Sequence, residues 1–177
     1  MTEGEALALP AEAAEAAKGY LRAEGAGEDG LIAGLVLSAA ELCEGFTGQT
    51  LIARTFTQPL ETTGGWQRLG CTPVRAIVKV EDGETGATLA LADYAVDIDA
   101  NGDGWVRVGG GAPKRIRVSF EAGLSAQWAD LPAALRQGIV RLASHFYAHR
   151  AAEPSRAQEP PAAVTALWRG FRRMRLR

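Results

Sequence analysis

The chain has 177 residues, of which 47% are hydrophobic and 23% charged, and its net charge is −2. This length and composition suit one domain, or one domain with a small second module, and exclude a disordered chain. Charge is unevenly placed: residues 1–50 carry −7, residues 51–129 carry −1 and residues 130–177 carry +6. Because the basic residues gather at one end, a uniformly basic nucleic-acid binder is excluded and two unlike surfaces are expected.

Cysteine usage and apolar runs predict the compartment. Cys43 and Cys71 form neither a C-x-x-C pair nor a disulfide framework, so we expect reduced thiols in a cytosolic protein. The first twenty residues lack the basic start and the long apolar core of a signal peptide. No stretch approaches eighteen apolar residues in a row, so we expect no membrane-spanning segment and no membrane partner.

The first fifty residues predict two helices. Pro10 suits a first helical turn, and strong helix formers follow as far as Arg22. We expect Asp29 to cap a second helix that ends at Gly48. The apolar residues of this helix form one stripe with a second beside it: Leu31, Leu35, Leu42 and Phe46, then Ile32, Val36, Ala39 and Cys43.

Residues 51–121 predict a small, mostly antiparallel β module. Strand candidates alternate with turn-forming clusters, and they read RTFTQPL, VRAIVKV, YAVDI, WVRV and RIRVSFE. In the second of these we expect one face to carry Val74, Ala76, Val78 and Val80. The last has the cleanest alternation, with Ile116, Val118 and Phe120 on one side.

Residues 122–152 predict a long helix, and residues 153–177 a Pro-rich linker and a basic tail. We expect Asp130 to cap this helix, with Pro132 in its first turn. Its apolar face would comprise Leu135, Ile139, Leu142 and Phe146. The predicted fold class is α+β: a small helical bundle, formed by residues 1–50 and 122–152, with an inserted, mostly antiparallel β module and a basic C-terminal tail.

No conventional catalytic site is visible in the sequence. His145 and His149 share a helix face, but a zinc site needs three or four ligands. Asp97–Asp103 resembles the start of a calcium loop, yet Val108 stands where such a loop needs a bidentate Glu. Ser125 lacks the final glycine of a nucleophile elbow. We therefore expect no enzyme activity, no metal, no cofactor and no specific role for calcium.

The C-terminal tail is the strongest functional candidate. Trp and Arg dominate interface hot spots, and the tail supplies both; the candidate interface residues are Trp168, Arg169, Phe171, Arg172, Arg173 and Arg175. Pro154, Pro160 and Pro161 separate the tail from the body. We therefore expect it to order mainly against a neighbouring chain, so that removing residues 162–177 would leave melting nearly unchanged. Contact with DNA phosphates is the competing use.

Three segments carry a resemblance to a known family. They are the Gly-terminated helix DGLIAGLVLSAAELCEGFTGQTL, the strand RVSFEAGL, and the late helix LPAALRQGIVRLASHFYAHR followed by ALWRGFRRMRL. In this order they resemble the head–tail connector (adaptor) proteins of tailed bacteriophages, including the adaptors of phage-derived gene transfer agents. The resemblance is diffuse and extends from about Ala13 to Leu176.

The resemblance implies a structural role. Family members form a ring, usually of twelve copies, beneath the portal protein; the ring extends the DNA channel and docks stopper or tail proteins. The expected partners are thus the portal, stopper or tail proteins and other copies of the chain, with DNA passing through unread. The expected location is the head–tail interface of a phage-like particle, and the host cytoplasm before assembly. Two alternatives stay open: a small enzyme with a β-lined pocket, and a small DNA-binding regulator that uses the Arg-rich tail.

Overall fold

The computed structural model describes residues 2–111, 113–150 and 160–173 and confirms the α+β fold class. Within those ranges the chain forms four α-helices, two antiparallel sheets and two short 3-10 turns. It divides into two compact units. The β unit comprises Met1–Ala6 and Ile52–Ala126, and the helical unit comprises Leu7–Leu51 and Gln127–Arg177.

Seven strands build the two sheets of the β unit. In chain order they are β1 (Glu3–Gly4), β2 (Arg54–Glu61), β3 (Gln67–Arg68), β4 (Val74–Asp82), β5 (Tyr94–Ile98), β6 (Gly104–Val108) and β7 (Arg115–Ala122). One sheet has the order β1-β2-β7-β4 and the other the order β3-β6-β5. Both contribute side chains to a single apolar core, among them Phe56, Phe120 and Val106.

The sequence pattern predicts β7 correctly and β4 only in part. Ile116, Val118 and Phe120 are fully buried, as their alternation predicts. The expectation that β4 has one apolar face is wrong, because Val78 is 64% exposed although Val74 and Val80 are buried. Two register shifts in the pairing of β4 with β7 cause the difference. Such bulges insert a residue and reverse the side-chain alternation beyond it.

The first strand was not predicted from the sequence. Glu3 pairs with Thr57 and Gly4 with Phe56, which extends the sheet by two residues. A side chain at position 4 would overlap the Phe56 ring, so only glycine fits there. A two-residue strand is too short for alternation to reveal it.

The helical unit contains α1 (Ala11–Leu21), α2 (Asp29–Thr47), α3 (Ala133–Ala148) and α4 (Ala162–Trp168). Helix α3 contacts the other three. Its predicted apolar face is confirmed, since Leu135, Ile139 and Leu142 are fully buried. The predicted cap is wrong: Asp130 lies in the 3-10 turn Trp128–Asp130, and the helix begins after Pro132.

Helix α2 buries the second of its two apolar stripes, not the first. Ile32, Val36 and Cys43 are buried, whereas Leu31 and Leu42 are 45% and 41% exposed. Burial raises the pKa of the Cys43 thiol, which therefore stays protonated. Since both stripes have helical periodicity, the pattern alone cannot tell which of them meets α1 and α3.

Gly48 ends α2 as predicted, and its backbone conformation requires glycine. Its φ is +67°, and its N–H donates to the Glu44 carbonyl at 2.8 Å. We expect Gly48→Ala to lower the free energy of unfolding by about 1–2 kcal/mol, the cost of left-handed backbone for an L-residue. Urea denaturation measures this. The matched control, Gly45→Ala, has open space and ordinary helical backbone, so it should be neutral or stabilising by up to about 1 kcal/mol. Equal effects of the two changes would contradict the assignment.

Candidate assembly surface

Helix α4 packs on α3 of its own chain. Trp168 has no exposed surface and Val164 is buried. A Cβ at Gly138 would overlap the Trp168 indole, so this glycine lets the ring lie against the α3 backbone. The indole Nε1 donates to the Leu135 carbonyl at 3.4 Å. Trp168 is therefore an internal anchor of the helical unit.

The residues after α4 bond to the end of α2. The Gln49 side-chain amide donates to the Phe171 carbonyl at 2.5 Å, and the Arg173 N–H donates to the Thr47 carbonyl at 2.8 Å. The Arg172 guanidinium lies 5.6 Å from the centre of the Phe46 ring. These contacts order the segment through its own chain.

The expectation that the tail does not pack on its own domain is therefore wrong for residues 160–173. A tryptophan and a glycine 30 residues apart make the contact, and no local pattern reveals such a pair. The predicted interface role is a separate matter and stays a prediction. Arg169 and Arg172 are exposed, Phe171 and Arg173 are half-buried, and Arg175 lies outside the described residues.

A second surface, the outer face of α2, was missed in the sequence. We define it by Leu31, Gly34, Leu35, Ser38 and Leu42, of which Leu35 is half-buried and the others are exposed. From Asp29 to Thr47 the exposed positions carry a single charged residue, Glu41. Counting the apolar positions around the whole helix would have revealed it, because they exceed what one buried stripe needs.

By length and composition α2 could cross a membrane, and it is the one helix in the described ranges that could. Only 33% of its most apolar 18-residue window is buried. The expectation that no segment is apolar enough is therefore wrong for this helix, while the absence of a membrane partner stays a prediction. A helix that packs in the interior of a helical unit passes the same test of length and composition.

The two histidines lie side by side near the end of α3. Their ring centres are 4.2 Å apart, and partial burial together with His149 lowers the pKa of His145. The described part of the chain holds no group of three or more His, Cys, Asp or Glu side chains placed to bind a metal. The pair thus has the geometry of neighbouring residues on one helix turn.

The carboxylates of the candidate calcium loop are engaged by the protein. Asp99 accepts hydrogen bonds from the N–H groups of Asn101 and Asp103, at 2.8 and 3.0 Å, and from the Trp105 indole at 3.2 Å. Asp103 pairs with Arg68 at 3.1 Å. This arrangement organises the tight turn between β5 and β6.

Calcium should therefore produce no saturable heat at micromolar concentration in calorimetry. Asp99→Ala should instead lower the melting temperature, because about 1–3 kcal/mol of hydrogen bonding in the turn is lost. A saturable signal in the parent that Asp99→Ala abolishes would contradict both statements.

Three solved chains are similar to this chain over nearly its whole length. A chain from the neck of an empty gene transfer agent particle, computed with C6 symmetry, is 24% identical with a TM-score of 0.79. A chain from the virion of a native gene transfer agent particle is 26% identical with a TM-score of 0.73. A chain from the neck of a native particle, computed with C12 symmetry, is 24% identical with a TM-score of 0.73.

Each match covers 99% of this chain and 97% of the other. The complete chain, with both of its units, therefore shares the fold of these particle chains. No protein-family model and no curated protein matches the chain.

Proposed function

We propose that this chain is a structural head–tail connector (adaptor) of a gene transfer agent or a related tailed-phage particle. The observation that carries the proposal is the similarity of the whole chain to neck and virion chains of gene transfer agent particles, at up to 26% identity. The role is not enzymatic: the chain is part of the particle neck and acts through its surfaces.

In this role about twelve copies form a ring beneath the portal, extend the DNA channel and dock the stopper or tail. The C12 symmetry of one matched neck supports that number. Ring closure requires one patch to meet a different patch on the next copy. The helical unit offers two unlike halves: residues 7–51 hold seven acidic and two basic residues, and residues 127–177 hold three acidic and nine basic.

The test is to mix the purified chain with the portal protein of the same genome and to examine the mixture by affinity capture and electron microscopy. We expect capture by the portal and a ring on the portal axis. The competing regulator would ignore the portal and bind duplex DNA, with an affinity that falls steeply with salt. That second result would overturn the proposal.

The exposed arginines are expected to act in assembly. Replacing Arg169 and Arg172 with Ala should lower occupancy in particles several-fold, because charged groups at an interface steer and hold the partner. Melting should change little, since both side chains are exposed. Arg117→Ala, an exposed arginine on β7, is the control and should keep parental occupancy. Parental occupancy of the double variant, measured by quantitative mass spectrometry, would rule out this role.

A further inference from the structure

The outer face of α2 is too apolar to be an ordinary solvent-exposed surface. Leu31 and Leu42 are 45% and 41% exposed with residues 2–111, 113–150 and 160–173 in place. The face borders an apolar groove of about 310 Å³, which is lined in part by Ala33, Gly34 and Leu37. Apolar surface gains about 25 cal/mol per Å² when it is removed from water, and contiguous exposed patches generally mark contact sites.

The charges around this face favour a basic protein surface as the occupant. Glu41 is the charged residue among the exposed positions of Asp29–Thr47, and the half of the helical unit that contains α2, residues 7–51, has a net charge of −5. An acidic surround is repelled by the phosphates of DNA and by the anionic headgroups of a membrane. A partner that is basic as well as apolar fits better.

The chain itself supplies such a surface. Residues 127–177 have a net charge of +6, and Arg169 and Arg172 are exposed there beside the small residues Ala166 and Gly170. Small residues on both sides, Gly34 and Ser38 included, let two helices approach closely, since the distance between helix axes depends on the side chains at the contact.

We propose that the outer face of α2 docks on the basic half of the helical unit of a second copy of this chain. The inference rests on the proposed function, because a ring made of like copies needs a contact between unlike patches. It adds which patches these are: exposed leucines on the acidic half of one copy, and the arginine-bearing half of the next.

A photo-crosslinking residue at position 42 tests the occupant directly. Cells that make the particles would carry the variant chain, and purified particles would be irradiated. We expect a band at about twice 18.7 kDa, and peptide mapping of that band should place the link within residues 127–177 of the second copy. A link to another particle protein, to lipid, or within the same copy would overturn the proposal, and so would no link at all.

A charge substitution provides an independent test with a matched control. Leu42→Glu should lower occupancy in particles by more than about tenfold, because the contact would bury a charge. Ala16→Glu, which adds the same charge at an exposed position of α1, should keep occupancy near the parental value. Circular dichroism should show both variants folded, since both positions are exposed. Equal occupancy of the two variants would overturn the proposal.

The two hypotheses fail in different ways. If the parental chain is absent from purified particles, the proposed function fails. If it is present but position 42 gives no link to a second copy, only the α2 contact fails.

Discussion

Trp168→Ala should lower the free energy of unfolding by about 3–5 kcal/mol, the usual cost of truncating a fully buried tryptophan. The ring fills the space above Gly138, lies 5.9 Å from the Phe46 ring and donates to the Leu135 carbonyl. Its removal leaves a cavity and a carbonyl without this donor. Since folded domains are stable by only about 5–15 kcal/mol, a large drop in melting temperature is expected.

Arg169→Ala is the control for this result, because it alters the next residue, which is exposed. Its effect should be within about 0.5 kcal/mol. Urea denaturation followed by circular dichroism measures both. If the two variants unfold at the same urea concentration as the parent, residues 160–173 do not stabilise the helical unit and the packing of α4 on α3 is wrong. The packing also predicts that deleting residues 162–177 lowers the melting temperature, contrary to the expectation from the sequence.

Leu142→Asp should prevent the helical unit from folding stably at 25 °C. Leu142 has no exposed surface and lies on the face of α3 that forms the core of this unit. A carboxylate there would be buried without a partner, which costs several kcal/mol in addition to the lost apolar burial. The expected sign is loss of cooperative melting of the helical signal.

The control for this variant is Gln137→Asp on the same helix, where the side chain is exposed. It introduces the same residue type but keeps the charge in water, so it should change stability by no more than about 1 kcal/mol. Thermal melting of the parent and the two variants separates these outcomes. If Leu142→Asp melts like Gln137→Asp, the assignment of the core is wrong.

The parts of the fold that were predictable have a strong local pattern. Strand β7 alternates over its length, α3 repeats apolar residues at steps of three and four, and Gly48 stops α2. Each of these signals lies within one element, so a reader of the sequence has all the information needed.

The parts that were not predictable depend on contacts between distant residues. Which stripe of α2 is buried is decided by α1 and α3, and the exposure of Val78 by the bulges against β7. Trp168 resembles an anchor for a partner, because nothing nearby in the sequence shows that Gly138 leaves room for its ring. The candidate interface was therefore predicted correctly in composition but not in the role of its aromatic residue.

For the assembly surface, the sequence indicates charge but not exposure. The basic tail is visible as a run of arginines, and its exposed members stay the candidates for contact. The outer face of α2 becomes visible only when the structure shows which leucines are left in water.

The most direct test of the proposed function is a cryo-electron microscopy reconstruction of the neck of particles made by the genome that encodes this chain. We expect density into which the two units of this chain fit, repeated around the axis next to the portal, with the outer face of α2 against the neighbouring copy. Particles whose neck density fits other proteins, with this chain absent from the purified particles by mass spectrometry, would contradict a role as a head–tail connector.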